Sequence, residues 1–257
     1  MAEGDVVLVL DREGLALEAA RRFAIACAEA VRRTGRFTVA LSGGSSPVSL
    51  YTTLASGAYR SKIDWGSVHV FWGDERCVPP DHAESNYKLA YDTLLKHVPV
   101  PPDQIHRVRG EDPNPETAGL EYEKVLRTVF QLKPGEWPRF DLILLGMGAD
   151  GHTASLFPGS PALREAKRLV AACDAPSRHQ HRLTLTLPLI NNARMVMFLV
   201  AGKGKEGALT RVLQEKNPTD PLPAQLVRPS DGRRIWLIDE ESVQRSAISL
   251  KTIVAES

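Results

Sequence analysis

Leu142-Ile143-Leu144-Leu145 runs straight into Gly146-Met147-Gly148-Ala149-Asp150-Gly151-His152-Thr153, and this join decides the fold. Four apolar residues in a row mark a strand with both faces buried, the condition of strands in a parallel sheet. The glycine-bearing polar stretch after it suits a chain leaving such a sheet at the carboxyl ends of its strands, where loops converge and ligands bind. The same punctuation recurs along the chain. Val6 to Leu10, Phe37 to Leu41, Val68 to Trp72, Met195 to Val200 and Ile235 to Ile238 read as further buried strands. Helical patterns fall between several of them, at Leu15 to Arg33, Ser49 to Leu54, Glu84 to Leu95, Glu116 to Leu132 and Lys205 to Leu213. The first has an apolar face through Leu17, Ala20, Ala24, Cys27, Ala28 and Val31, with Gly35 where a C-terminal stop is expected. Alternating strand and helix predict an α/β fold, a mainly parallel sheet with helices on both faces. Arg182 to Leu187, which alternates Thr and Leu, reads as one more strand. No repeat, low-complexity tract or Gly/Ser linker divides the chain, so residues 1–257 are read as a single domain.

The bulk composition removes several function classes. At 257 residues and 43% hydrophobic content, the chain can build a full core. Lys plus Arg total 32 against 31 Asp plus Glu, so no global field draws in nucleic acid or an anionic membrane, and any anion must be held by a local cluster. Met1 to Asp5 lacks the basic and apolar regions of a signal peptide, and no apolar run spans a bilayer, which predicts a soluble, cytoplasmic chain. Cys27, Cys77 and Cys173 form an odd, widely spaced set without a C-x-x-C pair, fitting a reducing compartment and no structural zinc.

Four predicted strands are followed by glycine-bearing polar loops that would lie on one edge of the sheet. Ser42-Gly43-Gly44-Ser45, between strand and helix, lets backbone approach an anion and sets helix N–H groups behind it; an ordinary serine-capped turn fits that segment equally well. Gly146-x-Gly148-x-x-Gly151 matches a dinucleotide-binding fingerprint, but Pro158 and Gly159 follow too soon for the long helix that fingerprint opens. Its better reading is a loop presenting Asp150 and His152, an Asp-x-His pair able to orient an imidazole for proton transfer, though such pairs also occur in plain loops. Asp74-Glu75-Arg76 reads as a surface salt-bridge cluster unless neighbouring loops support a site. Cys77 is assigned packing and no chemistry, and His179 with His181 lacks a third metal ligand. Lys203 and Lys205 read either as phosphate-binding point charges or as solvated lysines.

Taken together, Leu41-Ser42-Gly43-Gly44-Ser45-Ser46-Pro47, Gly73-Asp74-Glu75-Arg76-Cys77-Val78-Pro79 with His82-Ala83-Glu84-Ser85-Asn86-Tyr87, the segment LLGMGADGHTASLFPGS (144–160), RLTLTLPLINNA (182–193), AGKGK (201–205) and LPAQL (222–226) occur in one order. This series closely resembles the 6-phosphogluconolactonases from about residue 5 to residue 240, and GADGHTASLFP is its most specific part. The resemblance implies a single-domain, Rossmann-like α/β fold shared with glucosamine-6-phosphate deaminases. It also implies hydrolysis of 6-phospho-D-glucono-1,5-lactone to 6-phospho-D-gluconate in the oxidative pentose phosphate pathway. Carried over by position, it makes His152 the catalytic histidine with Asp150 and Asp74 near it and Arg76 near the lactone, while Gly43, Gly44, Ser45, Arg182 and Lys205 hold the phosphate. It implies no metal and no cofactor. The partner it implies is a small phosphorylated sugar lactone rather than nucleic acid or membrane; the sequence leaves the oligomeric state open, and a monomer is compatible with it.

Two other readings are set against this one. A glucosamine-6-phosphate deaminase-like isomerase carries a Glu in a pattern like DGHIAFNEP, whereas here His152 is followed by Thr153-Ala154-Ser155-Leu156-Phe157-Pro158, without an acid. A non-catalytic sugar-phosphate sensor of a transcription regulator is expected to carry a helix-turn-helix ahead of its first strand, and here that strand begins near residue 6.

Overall fold

The protein is described here from a computed structural model, over residues 5–176, 180–215 and 219–243. Its strands there are β1 (Asp5–Val9), β2 (Phe37–Leu41), β3 (Val68–Trp72), β4 (Asp74–Arg76), β5 (Leu142–Leu145), β6 (Val170–Ala175), β7 (Gln180–Leu185), β8 (Met195–Val200) and β9 (Arg233–Asp239). The helices are α1 (Arg12–Thr34), α2 (Ser46–Ala55), α3 (Gly57–Arg60), α4 (Asn86–Thr93), α5 (Pro115–Val129), α6 (Leu187–Asn191), α7 (Glu206–Gln214) and α8 (Pro223–Leu226). None is long and apolar enough to cross a membrane among the described residues.

Six strands form one sheet in the order β1-β9-β8-β5-β2-β3, and every pairing in it is parallel. Successive strand residues point to opposite faces, and all residues of β2 and β5 are buried, so both faces of the sheet are covered. Each of the six predicted strands is present. From β2 the chain moves outward to β3, and from β5 it moves the other way to β8. The crevice between the loops after β2 and β5 is therefore a topological switch point, the place where open α/β sheets bind ligands.

A second, antiparallel sheet has the order β4-β7-β6. Gly73 joins the two sheets: its N–H donates to the Leu41 carbonyl at 2.9 Å, and its carbonyl accepts from Leu185 N–H at 2.8 Å. The chain thus leaves β3 and enters β4 within one residue. β7 is the strand expected at Arg182 to Leu187, starting two residues earlier; β4 and β6 were not expected.

The α1 face corrects a sequence expectation. The residues it buries are Leu15, Ala16, Ala19, Ala20, Phe23, Ala26, Cys27 and Ala30, whereas Leu17 is 48% exposed. In an alanine-rich helix two adjacent stripes both satisfy the 3.6-residue period, and the large ring of Phe23 decides which one turns inward. Phe23 packs edge-on against Phe37 at a centroid distance of 5.2 Å.

Candidate active site

The loops after β2, β3, β5 and β8 converge on one cleft of about 210 Å³. Ser42 to Ser46, Asp74, Arg76, Asn86, Gly146 to Gly148, His152, Ala154, Arg182 and Lys205 line it. Of the residues to which the family resemblance gives a role, all are among them except Asp150, which stands behind His152.

At the first loop, Gly44 adopts φ +87°, a left-handed conformation open to glycine and strained for other residues. The loop's start is fixed by buried Tyr51, whose hydroxyl accepts from Ser42 N–H at 3.1 Å and donates to the Ser42 carbonyl at 2.7 Å. Ser45, the N-cap of α2, makes no side-chain cap, and Ser45 and Ser46 both line the cleft, so the first turn of α2 opens beside it without a capping side chain.

The second loop overturns the surface-cluster reading of Asp74-Glu75-Arg76. Glu75 is buried and accepts from the N–H groups of Arg76, Asn86 and Tyr87 at 2.8, 2.7 and 2.8 Å. Burial raises its pKa, opposed by those backbone hydrogen bonds. Its work is to tie the first turn of α4 to β4. Asp74, also buried, accepts from Ser155 Oγ at 2.7 Å and from Asn86 Nδ2 at 3.2 Å.

Arg76 and Arg182 are cross-strand partners in the β4–β7 register. Arg76 donates to the Glu84 carbonyl and Arg182 to Gln180 Oε1 at 3.2 Å, and among the described residues neither forms a salt bridge to a carboxylate and both buried Nε atoms lack a hydrogen-bond partner. Burial first, and then the neighbouring Arg76, lower the pKa of Arg182. Asp74 and Glu84 act on Arg182 from nearby without forming an ion pair with it among the described residues, and two adjacent guanidinium groups favour a multiply charged anion beside them.

At the third loop, His152 Nδ1 lies 2.5 Å from Asp150 Oδ1, which also accepts His152 N–H at 3.1 Å. Gly148 leaves the room for this pair, because a Cβ there would stand 2.2 Å from His152 Nδ1 and 2.6 Å from Asp150 Oδ1. No long helix follows Gly151, so the dinucleotide fingerprint is without its structural context. The Phe157 ring packs on His152 with centroids 4.8 Å apart. With Nδ1 held by a carboxylate, Nε2 is the nitrogen left for proton transfer. Ala154, on the cleft wall, has φ +49°, an uncommon conformation for a residue with a Cβ.

The fourth loop separates the two lysines. Lys203 is exposed and pairs with Glu241 at 3.6 Å, whereas half-buried Lys205 lines the cleft. Burial lowers the Lys205 pKa, Asp239 opposes the shift and Arg12 adds to it. Asp239, buried at the end of β9, accepts from Gly202 N–H at 3.0 Å, Ser242 N–H at 3.0 Å and Ser242 Oγ at 2.5 Å. It thereby pins a loop whose two glycines, Gly202 and Gly204, both have positive φ.

Other candidates stay outside the site. Burial pushes the Cys77 thiol up to about 11, away from the thiolate that reactivity needs. His181 pairs with Asp174 at 2.6 Å on the surface, and His179 lies outside the described residues. Among the described residues no three His, Cys, Asp or Glu side chains converge into a metal-ligand set. Asn86 and Ser155 were missed from the sequence, while Ser42 was read there only as part of the anion-binding loop. Only the cap-like Ser85-Asn86 pair before a helix could have drawn attention there.

Fold and cleft define a class first: a Rossmann-like α/β protein with a cationic cleft and an Asp-backed histidine at the carboxyl edge of its sheet. The chain belongs to the glucosamine-6-phosphate isomerases/6-phosphogluconolactonase family, whose model matches residues 10–236. A 6-phosphogluconolactonase of Synechocystis sp. is 44% identical over 214 residues, covering 83% of this chain and 86% of that one. One from Nostoc sp. is 43% identical over 210 residues, covering 82% and 85%. The solved structure of 6-phosphogluconolactonase from Trypanosoma cruzi superposes with a TM-score of 0.83 at 30% identity, covering 94% of this chain and 96% of that one.

Proposed function

We propose that this protein hydrolyses 6-phospho-D-glucono-1,5-lactone to 6-phospho-D-gluconate, the second step of the oxidative pentose phosphate pathway. The observation that carries the reading is one cleft holding an Asp-backed histidine and the adjacent cations Arg76 and Arg182, which form no salt bridge among the described residues, in a chain 44% identical to a 6-phosphogluconolactonase. A lactone carbonyl is already electrophilic, so the chemistry needs a base for water and stabilisation of a developing oxyanion. His152, held by Asp150, takes a proton from water as the oxygen attacks the carbonyl carbon. The protonated imidazole then gives that proton to the ring oxygen as the bond from the carbonyl carbon to it breaks. Such a positioned acid/base contributes about 10²- to 10⁴-fold.

Arg182, Lys205 and the open start of α2 at Gly43, Gly44 and Ser45 hold the phosphate. Arg76 adjoins Arg182, so its charge serves the same anion, and its guanidinium is also the candidate partner for the lactone oxygen. The reading needs no metal and no cofactor, and one chain suffices for it. A cytoplasmic location belongs to the proposal and fits three free thiols. The deaminase alternative is disfavoured because Phe157, packed on His152, follows the Asp-Gly-His motif where that reaction's pattern carries an acid.

Lactone consumption coupled to glucose-6-phosphate oxidation, with a strong chelator present and glucosamine-6-phosphate tested in parallel, decides between the two. His152→Ala is expected to lower kcat by about 10²-fold or more while the protein stays folded. Ammonia release from the amino sugar, or near-normal kcat in His152→Ala, would sink the reading.

A further inference from the structure

We infer that Asn86 is a positioning residue of the cleft, one side chain that orients the Asp74 carboxylate and occupies the space vacated by the missing side chain of Gly43. Asn86 is 2% exposed, lies on the cleft wall and opens α4. Its Nδ2 donates to the Asp74 carbonyl at 2.9 Å and to Asp74 Oδ1 at 3.2 Å. Ser155 Oγ holds the other oxygen, Oδ2, at 2.7 Å. Each carboxylate oxygen thus has one fixed donor, one from the start of α4 and the other from the loop after β5. The carboxylate cannot rotate without breaking both hydrogen bonds.

Asn86 is itself fixed from behind. Its own N–H and that of Tyr87 donate to buried Glu75, which follows Asp74 directly in the chain. Ser85 Oγ caps the helix by accepting from Lys88 N–H at 3.1 Å. The sequence Asp74-Glu75 and the sequence Ser85-Asn86 therefore form a closed unit in which Glu75 takes backbone donors and Asp74 takes the side chain.

Gly43 completes the argument. Its φ is not in the left-handed region, so backbone conformation does not demand glycine there. Close approach does: a Cβ on Gly43 would lie 1.8 Å from Asn86 Oδ1 and 2.3 Å from Asn86 Cγ, far inside any real contact. Gly44, by contrast, has φ +87° and open space around its missing Cβ. The two adjacent glycines thus serve different ends, Gly44 the turn and Gly43 the seat for Asn86. The amide links the loop after β2 to the carboxylate after β3.

The inference rests on the proposed lactone hydrolysis for its kinetic half and on packing alone for its other half. Gly43→Ala, Asn86→Ala and the double variant are compared by kcat, KM and Tm. Gly43→Ala alone is expected to lower kcat/KM by about tenfold and to reduce Tm. In the Asn86→Ala background the same change is expected to cost less than about twofold, because the amide it strikes is gone. Equal losses in both backgrounds would overturn the inference and mean that Gly43 serves a backbone contact to the ligand instead.

A second cycle tests positioning. Asn86→Ala is expected to lower kcat about tenfold with KM within about threefold, and to cost nothing further in an Asp74→Ala background. An undiminished loss in that background would show that Asn86 does not act through Asp74. If the unaltered protein hydrolysed no lactone, the function would fall, while the Tm cycle between Gly43 and Asn86 would still decide the packing half.

Discussion

Among the described helices of eight residues or more, those that close their first turn with an N-cap side chain differ in placement from those that leave it open. Asp11 accepts from Gly14 N–H at 2.8 Å to start α1, and Asn114 accepts from Glu116 N–H at 2.9 Å to start α5. Ser85 caps α4 at the cleft's rim. The starts of α2 and α7, at Ser45 and Lys205, carry no side-chain cap, and both residues line the cleft. A cap stabilises a helix by satisfying its first N–H groups; an open start keeps those groups for a ligand. Stability and binding are thus assigned to different helix ends, so changes at the two kinds should be read by different measurements.

The strongest way to break this division is at the cations beside the open starts. Arg182→Ala and Lys205→Ala should each raise KM for the phosphorylated lactone about 10- to 100-fold, with kcat falling less, since contacts to an unchanging phosphate act on ground and transition states alike. Unphosphorylated gluconolactone should barely register either change; equal losses on both substrates would show that these residues do not read the phosphate. Next in size is Ser45→Asp, which supplies α2 with the cap it lacks and sets a negative charge where the phosphate is expected. KM should rise about tenfold while Tm holds or increases. A lowered Tm with unchanged KM would mean that the open start has no binding role.

The capped helices give the reverse test. Asn114→Ala should destabilise the fold by about 1 kcal/mol in denaturant unfolding, with kcat and KM unchanged. A further test lies in pH dependence, at another closed polar pair. His69 Nδ1 and His106 Nε2 lie 3.2 Å apart, and burial, then the His69 charge, hold His106 down to about 4. Unfolded histidine titrates near 6.5, so this stabilisation is present above about pH 6.5 and is lost as pH falls toward 4. The Tm of His106→Gln should therefore change less between pH 7 and pH 5 than that of the unaltered protein; parallel curves would remove the pair from the acid response.

The parallel sheet was legible because its strands are unbroken apolar runs, and a strand buried on both faces leaves no other pattern. β4 and β6 were not, for a physical reason: Asp74-Glu75-Arg76 is strand only because β7 pairs with it, and its carboxylates are buried only because α4 and Ser155 supply donors. Sequence spacing shows charge but not partners. The same limit explains why His152, Asp150 and Lys205 stood out in glycine-bearing loops while Asn86 and Ser155, which act by what they touch, did not. Helix boundaries moved by one to three residues, and α1 turned on its axis, where alanine makes two stripes nearly equivalent.

Among the described residues β1 pairs with β9 alone, Asp5 against Ile235 and Val9 against Asp239, so the first described strand is completed by the last described one. At about 5–20 residues per second of synthesis, β1 waits on the order of 10–50 s for its neighbour. Until then Val6 to Val9 is an unpaired apolar edge, the kind of segment that templates aggregation. Asp239, which anchors the Lys205 loop, arrives on that same last strand. One strand, β9, thus both covers the edge of β1 and carries the carboxylate that holds the Lys205 loop, so neither the first described strand nor the finished cleft exists without it.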